Sequence, residues 1–404
     1  LLSRRGFMEK IKGEIGSLQK RVVEARQSAG FSLAEAAKLL GFNNYQTLSA
    51  IERGTRNINA NELGALARLY GRNLDYFFEK ENPPDPVTLW RKSAEADEKR
   101  IERQFLSFLE NYSNLENLLD LKRRWKGIQK SYDRADFLHR EFHLADRLGA
   151  EIAEYLRLGS RPASGLLNVL ENDLRIKILH LPLDNGISGA SVVDDRLGAG
   201  MLINANDVPW RRNFDLAHEL FHIVTWSVFS REEIGDGTTK TKPEQFADAF
   251  ASSLLLPGEQ LLEALDEVTI NNTIRLVDII DLAKDFKVST DAIFWRLVNL
   301  KVLKRETVEN LIKDPKRREM DRTMRQSLYA KMDVSKYPER YVSLCCRCLI
   351  EGKISRGVFA SYLAIDRADI DSYLNKFGFR ENNYEELAKN YAQKVNLINR
   401  IGGF

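Results

Sequence analysis

The sequence predicts a mainly α-helical protein with one small β-sheet, divided into several domains. Three observations lead there. The chain has 404 residues, more than one hydrophobic core ordinarily serves, so roughly two to four domains are expected. Apolar residues recur at helical spacing along most of it, as in FLSFLENYSNLENLLDL at 105–121. Two stretches are the best strand candidates, with β-branched residues and turn signals around DNGISG: RIKILHLPL (175–183) and AGMLINAN (199–206). These two are expected to pair in the sheet.

Composition narrows the class. Hydrophobic residues make up 43% and charged ones 29%, the balance of a soluble globular chain. A net charge of +3 means that any nucleic-acid footprint must be local. No apolar run reaches the ~18 residues of a membrane helix, so no membrane partner is expected. The opening LLSRRGFMEK lacks the apolar h-region of a secretory signal. Three cysteines make no disulfide framework, which fits a reducing cytoplasm.

The first element is a helical module over residues 15–80. Ser32-x-x-Glu35 reads as a capping box that opens a helix. Gly41 ends that helix, and Asn43 or Asn44 caps the next. Ile51-Glu52-Arg53-Gly54 closes it on a C-cap glycine, and Asn59-x-x-Glu62 opens another. Two short helices joined by a tight turn and flanked by others make a helix-turn-helix, whose second helix enters the major groove. Residues 18–80 hold nine basic and six acidic side chains. That modest surplus supports a salt-sensitive phosphate contact; a helical protein-interaction module is the alternative.

This stretch resembles the phage-repressor-like (Xre) helix-turn-helix family. Arg26, Ala36-Ala37, Leu40-Gly41, Leu48, Ile51-Glu52-Arg53-Gly54 and Leu66-Ala67 carry the likeness. The resemblance implies a repressor-like bundle that binds double-stranded DNA. It places Tyr45, Gln46 and Ser49 on the base-reading face and Asn44, Arg53 and Arg56 against phosphates. Gln46 is the best base reader, because its amide can pair bidentately with adenine. A homodimer is expected, because half-sites of this class repeat with two-fold symmetry. Two departures stand out: the turn after Gly41 is one residue longer than usual, and Leu33 replaces a polar contact.

Residues 81–134 follow as a linker, marked by the prolines of ENPPDP at 81–86, and amphipathic helices. The chemistry lies in the next domain, 135–310. FDLAHELFHIVTW (214–226) places His218 and His222 four apart on a predicted helix over 211–226, hence on one face. Glu219 follows the first histidine and can hold a water on an ion bound there. A catalytic zinc needs a third protein ligand and one open position. KPEQFADAFASSLLLP supplies Glu244 on a second predicted helix (243–256), with Asp248 one turn on to fix the tautomer of a ligand histidine. H-E-x-x-H alone occurs by chance in many helices. Here both histidines sit among Phe214, Leu216, Ala217, Leu220, Phe221, Ile223 and Val224, where polar groups must find a partner.

RRNFDLAHELFHIV…PEQFADAFASSLLLP resembles the ImmA/IrrE family of gluzincin-type metallopeptidases. LGSRPASGLLNVLENDLRIKI, GAGMLINANDVPWRRNFDLAHE and VSTDAIFWRLVNLKVL extend the likeness over about 135–310. The resemblance implies one Zn2+ per chain on His218, His222 and Glu244, with Glu219 as the base. It also implies cleavage of a helix-turn-helix repressor or antitoxin partner in a stress or mobile-element response. The competing reading is a non-proteolytic DNA-binding regulator whose metal domain senses or docks a partner. The intact Glu219 favours the protease.

A helical C-terminal region, 311–404, completes the chain. Cys345, Cys346 and Cys348 crowd into YVSLCCRCLIEG, a predicted helix, and are expected to be core rather than a metal cluster. KDPKRREMDRTMRQS is expected to be a solvated basic loop. His180 is a strand histidine, expected to be structural, with an oxyanion-stabilising role as the alternative. Arg211 and Arg212 are expected to be solvated.

Overall fold

The computed structural model describes residues 18–27, 29, 31–70, 72, 74–78, 88–90, 96–121, 134–183, 189–234, 240–271, 273–326 and 333–379. The proline linker at 81–86 and the turn residues 184–188 lie outside them. The chain divides into two compact units. One comprises Leu1–Glu81, Leu106–Lys122 and Tyr337–Phe404; the other comprises Asn82–Phe105 and Arg123–Lys336. Among the described residues no helix is long and apolar enough to cross a membrane.

The first unit begins with helices α1 (18–27), α2 (Leu33–Leu39), α3 (Tyr45–Glu52) and α4 (Ala60–Tyr70). Their ends follow the expected grammar. Ser32 and Glu35 form a reciprocal capping box on α2. Asn44, not Asn43, caps α3, its side chain accepting from the Thr47 amide at 3.1 Å. Gly41 and Gly54 take the left-handed φ of +74° and +72° that turn the chain after α2 and α3. Asn59 and Glu62 cap α4 reciprocally. Val22, Ala36, Leu48, Leu66 and Tyr70 share one core. Arg26 ties α1 to α3 through two hydrogen bonds to the Glu52 carboxylate, at 2.7 and 3.0 Å.

The same unit contains the C-terminal part of α5 (Ala96–Leu118) and a late helix at Glu339–Ile350. Phe108 and Tyr112 pack against Tyr341 there with tilted rings. All three cysteines are free and buried. The late helix is covered on more than one side, so cysteines that share no single face are all interior. Burial raises each thiol, Cys346 to about 12 and Cys348 to about 11, so they stay protonated and unreactive.

The second unit holds a four-stranded sheet in the order β1-β3-β4-β2. The strands are β1 (Thr88–Trp90), β2 (Lys177–Leu181), β3 (Gly189–Asp194) and β4 (Gly198–Asn204). The two anticipated strands, β2 and β4, pair in parallel. Neither β1 nor β3 was expected; β3 runs antiparallel to both β1 and β4. Helices α6 (Arg134–Tyr155), α7 (Pro209–Val224) and α8 (Lys242–Leu255) share one large core. α7 opens on Pro209 at its first position, where a missing N–H costs nothing. Gly149 lets α6 approach α8: a Cβ there would fall 2.4 Å from the Phe250 carbonyl oxygen.

The basic run is not a loop. Residues Pro315–Met324 form a helix capped by Asp314, and Arg317 and Arg325 are buried. Arg317 reaches Asp291 at 2.6 Å, and Arg325 reaches Asp321 at 2.9 Å and Thr290 at 3.0 Å. An acid from another helix, Asp291, and one a turn earlier, Asp321, make these arginines interior groups.

Candidate metal centre

α7 and α8 bring three side chains to one point. His218 and His222 lie one turn apart on α7, and Glu244 lies in the first turn of α8. All three are buried among apolar residues. Nε2 of His218 and Nε2 of His222 are 3.1 Å apart. Glu244 places Oε2 at 3.3 Å from the first and Oε1 at 3.1 Å from the second. Ligand bonds of 2.0–2.1 Å in a tetrahedron have edges of about 3.3 Å. The triangle is therefore the right size for a zinc ion.

The donor set fits a cation for a second reason. The Asp248 carboxylate lies 2.9 Å from Nδ1 of His218. A proton on that nitrogen leaves Nε2 of His218 as a bare lone pair facing His222 and a carboxylate. Such a meeting of acceptors calls for a positive charge between them. His222 has no corresponding carboxylate: its Nδ1 finds no hydrogen-bond partner among the described residues. Lys240 pairs with the other oxygen of Asp248.

The acids respond to these neighbours. Burial works against charge on Glu244, but the adjacent His218 and His222 outweigh it and hold the carboxyl far below its usual range. The N-terminal turn of α8 adds favourable dipole. Burial also opposes charge on Asp248, and His218 and then Lys240 overcome it, lowering its pKa to about 2. Both are carboxylates at neutral pH.

Glu219 is nearly completely buried beside the triangle. The hydroxyl of Ser191, on β3, donates to its Oε2 and lies 3.3 Å from its backbone carbonyl oxygen. Gly189 lies against the same side chain: a Cβ there would sit 3.1 Å from Glu219 Oε1 and 2.8 Å from the Leu202 carbonyl oxygen. Sequence reasoning missed both residues. The signal available was alternation, because Gly189 and Ser191 are the small residues that a strand presents to one face.

The other candidates lie apart from this cluster. His180 stands on β2, with β4 between it and β3. Burial, then nearby Arg212, lowers its pKa to about 4, the state of a neutral core histidine. Arg212 is buried too, bonding the Ala205 and Asp207 carbonyls at 3.2 and 2.8 Å, so it is not the solvated residue expected. Arg211, half-exposed, bridges to Asp215 at 3.1 Å.

In the first unit Asn44, Tyr45, Gln46, Arg53 and Arg56 are exposed and Ser49 is half-buried, all on or beside α3. Asn44 spends its side-chain oxygen on the helix cap. Arg56 forms a two-pronged bridge to Glu62 at 2.7 and 3.2 Å. Arg53 donates to the Ser49 carbonyl at 3.2 Å.

Comparison with known proteins adds to this geometry. Residues 22–77 match the helix-turn-helix domain, and residues 171–297 match the IrrE N-terminal-like domain. Over 65 residues the chain is 42% identical to the HTH-type transcriptional regulator ImmR of Bacillus subtilis (strain 168), a stretch covering 16% of this chain and 50% of that regulator. The chain thus spans about half the length of the curated relative it matches. His218, Glu219, His222 and Glu244 form an HExxH-type zinc-binding motif typical of gluzincin metallopeptidases.

Proposed function

We propose that this chain, which joins an N-terminal helix-turn-helix domain to an IrrE/ImmA-like peptidase domain, is a DNA-binding regulator that also cleaves a partner protein. The partner is a helix-turn-helix repressor or an antitoxin, cut during a stress or mobile-element response. One observation carries the reading: a zinc-sized triangle of His218, His222 and Glu244 with a buried glutamate, Glu219, held at its side. A structural zinc site has no use for that glutamate. The free, buried cysteines suit a cytoplasmic protein.

His218, His222 and Glu244 would hold one zinc ion, which supplies Lewis-acid polarisation of a peptide carbonyl and acidifies a water. Asp248 keeps the proton of His218 on Nδ1, so that Nε2 remains a donor of electrons. Ser191 engages Oε2 of Glu219, and the Glu219 carboxylate accepts a proton from the attacking water. Glu219 then returns that proton to the leaving amine. The apolar walls of α7 and α8 limit bulk water around these transfers. In the first unit, Gln46 reads a base while Asn44, Arg53 and Arg56 hold phosphates, with Tyr45 and Ser49 alongside. A homodimer matches two half-sites. DNA binding then serves targeting or autoregulation.

The test is cleavage of the protein encoded by an adjacent repressor-like gene. Zinc-loaded wild type cuts it at a defined bond, and Glu219→Gln, with its zinc retained, does not. Equal cutting by both, or by neither, sinks the peptidase reading and favours a regulator whose metal domain docks a partner.

A further inference from the structure

We propose that the chain carries a second DNA-reading helix pair, α9 (Arg356–Leu363) and α10 (Ile370–Lys376), in the same compact unit as the first. The assignment of α9 and α10 to DNA rests on the DNA-binding reading above.

α9 and α10 repeat the layout of α2 and α3. α2 buries Ala37 four residues before Gly41, whose left-handed φ turns the chain, and Leu48 of α3 is buried after the turn. α9 buries Ala360 four residues before Ala364, and Ile370 of α10 is buried after that turn. Ala364 is left-handed as well, at φ +52°. Alanine adopts that conformation rarely, so the turn is imposed by the packing on either side of it. Ser355 caps α9 by accepting from the Val358 amide at 3.2 Å. Asp366 accepts from the Ala368 amide at 3.0 Å and opens a short helical turn, Arg367–Asp369, that leads into α10. Phe359 of α9 meets Tyr373 of α10 edge-on, with ring centres 6.3 Å apart. Two short helices packed about a tight left-handed turn make a helix-turn-helix.

In such a pair the first helix crosses the phosphate backbone and the second faces the major groove. Arg356 opens α9, and Arg367 lies against its first turn: a Cβ on Gly357 would fall 2.6 Å from Nη2 of Arg367. Gly357 thus leaves room for a second cation at the end of α9 where the helix dipole also draws anions. Arg367 is exposed and enters no ion pair among the described residues. α10 buries Ile370 and Leu374 and exposes Asp371, Ser372, Asn375 and Lys376. The Asn375 amide can pair bidentately with adenine. Asp366 is engaged by the Ala368 amide, and Asp371 by Arg356 at 2.7 Å. These acids offset the nearby cations, so α10 contributes choice of sequence more than affinity. Exposure sets this pair apart from the turn at Lys287 (φ +54°), after which, in the helix Thr290–Asn299, only Asn299 is exposed.

α5 carries both pairs. Arg72, just past α4, bonds Glu110 at 3.3 Å. Arg340 bonds Glu116 at 2.7 Å, and Asn114 donates to the Tyr362 hydroxyl of α9 at 2.8 Å. One chain therefore presents two unlike reading helices on a shared support, and its site should hold two unlike blocks of bases.

The experiment selects duplexes of about 40 base pairs, roughly four turns of B-DNA, from a random-sequence pool with the full-length protein. The expected site has two unlike conserved blocks. Gln46→Ala erases the preference at one. Asn375→Ala erases it at the other and weakens binding of the selected duplex by roughly 5- to 150-fold. Circular dichroism shows that each variant is folded. Arg367→Ala lowers the steepness of log K against log salt by about 0.9, whereas Asn375→Ala leaves it unchanged. A site built of one kind of block, all of it lost with Gln46→Ala, overturns the second pair and leaves the first. So does a folded Asn375→Ala protein that binds the selected duplex like wild type. A full-length protein that selects no duplex overturns both.

Discussion

Half-buried Asp248 and buried His180 show how two titratable groups in one unit serve different ends. Asp248 orients a candidate ligand: it lies 2.9 Å from His218 Nδ1 and leaves Nε2 toward the triangle. Asp248→Ala is expected to weaken zinc binding about 10–100-fold while the fold persists. Competition titration with a fluorescent chelator measures this; unchanged affinity would mean that Asp248 serves only its pairing with Lys240. His180 instead affects stability. Its pKa falls from 6.5 to about 4 on folding, through burial and then Arg212. Between those values the unfolded chain holds more protons than the folded one. The contribution of His180 is therefore complete above pH 6.5 and is lost as pH drops toward 4, by up to roughly 3 kcal/mol. Urea unfolding at pH 7 and pH 4.5 should show a smaller acid loss in His180→Gln than in wild type. Equal losses would place the titrating group elsewhere.

α6 and α8 make the element-scale case. Gly149 sits where their backbones nearly touch, and a Cβ would meet both the Phe250 carbonyl oxygen and, at 3.0 Å, the Leu254 amide nitrogen. Backbone yields less readily than a side chain, so Gly149→Ala should cost about 1–3 kcal/mol. Thermal melting would register that as a drop of several degrees, and no drop would mean that the helices separate freely. α8 carries Glu244, so the same variant should bind zinc less tightly. The helices were legible in the sequence because their apolar faces recur every three to four residues and their caps are written in Ser32, Glu35, Asn44 and Asn59. β3 was not legible for a reason tied to the site. Gly189 and Ser191 must be small to fit against Glu219, which leaves only Val192 and Val193 as β-branched residues in the strand. β1 is three residues long, too short for alternation to show. The buried arginines of Pro315–Met324 were misread because charge counts as solvated until its partners, Asp291 and Asp321, come from elsewhere in the fold or the next turn. The triangle was legible because i, i+4 spacing fixes a face; Ser191 was not, because it comes from another strand.

At the scale of the whole molecule, a local basic surplus and a metal triangle sit in separate compact units of one chain. DNA binding by the full protein should be salt-sensitive. With about three to five phosphate contacts, log K should fall against log salt with a slope of about −2.7 to −4.5. Gln46→Ala should lose about 1–3 kcal/mol on the preferred site and leave that slope unchanged. A fluorescence titration across salt concentrations checks both, and a flat salt response would remove phosphate binding from the account. The central claim is the metal. The decisive measurement is the zinc content of purified wild type beside His218→Ala, Glu244→Ala and Glu219→Gln. The account predicts about one zinc per chain in wild type and Glu219→Gln, and loss of it in the other two, since each lacks one of the three ligands a catalytic site needs. A wild type that stays empty when zinc is supplied, or a His218→Ala variant that keeps its full zinc, would contradict it.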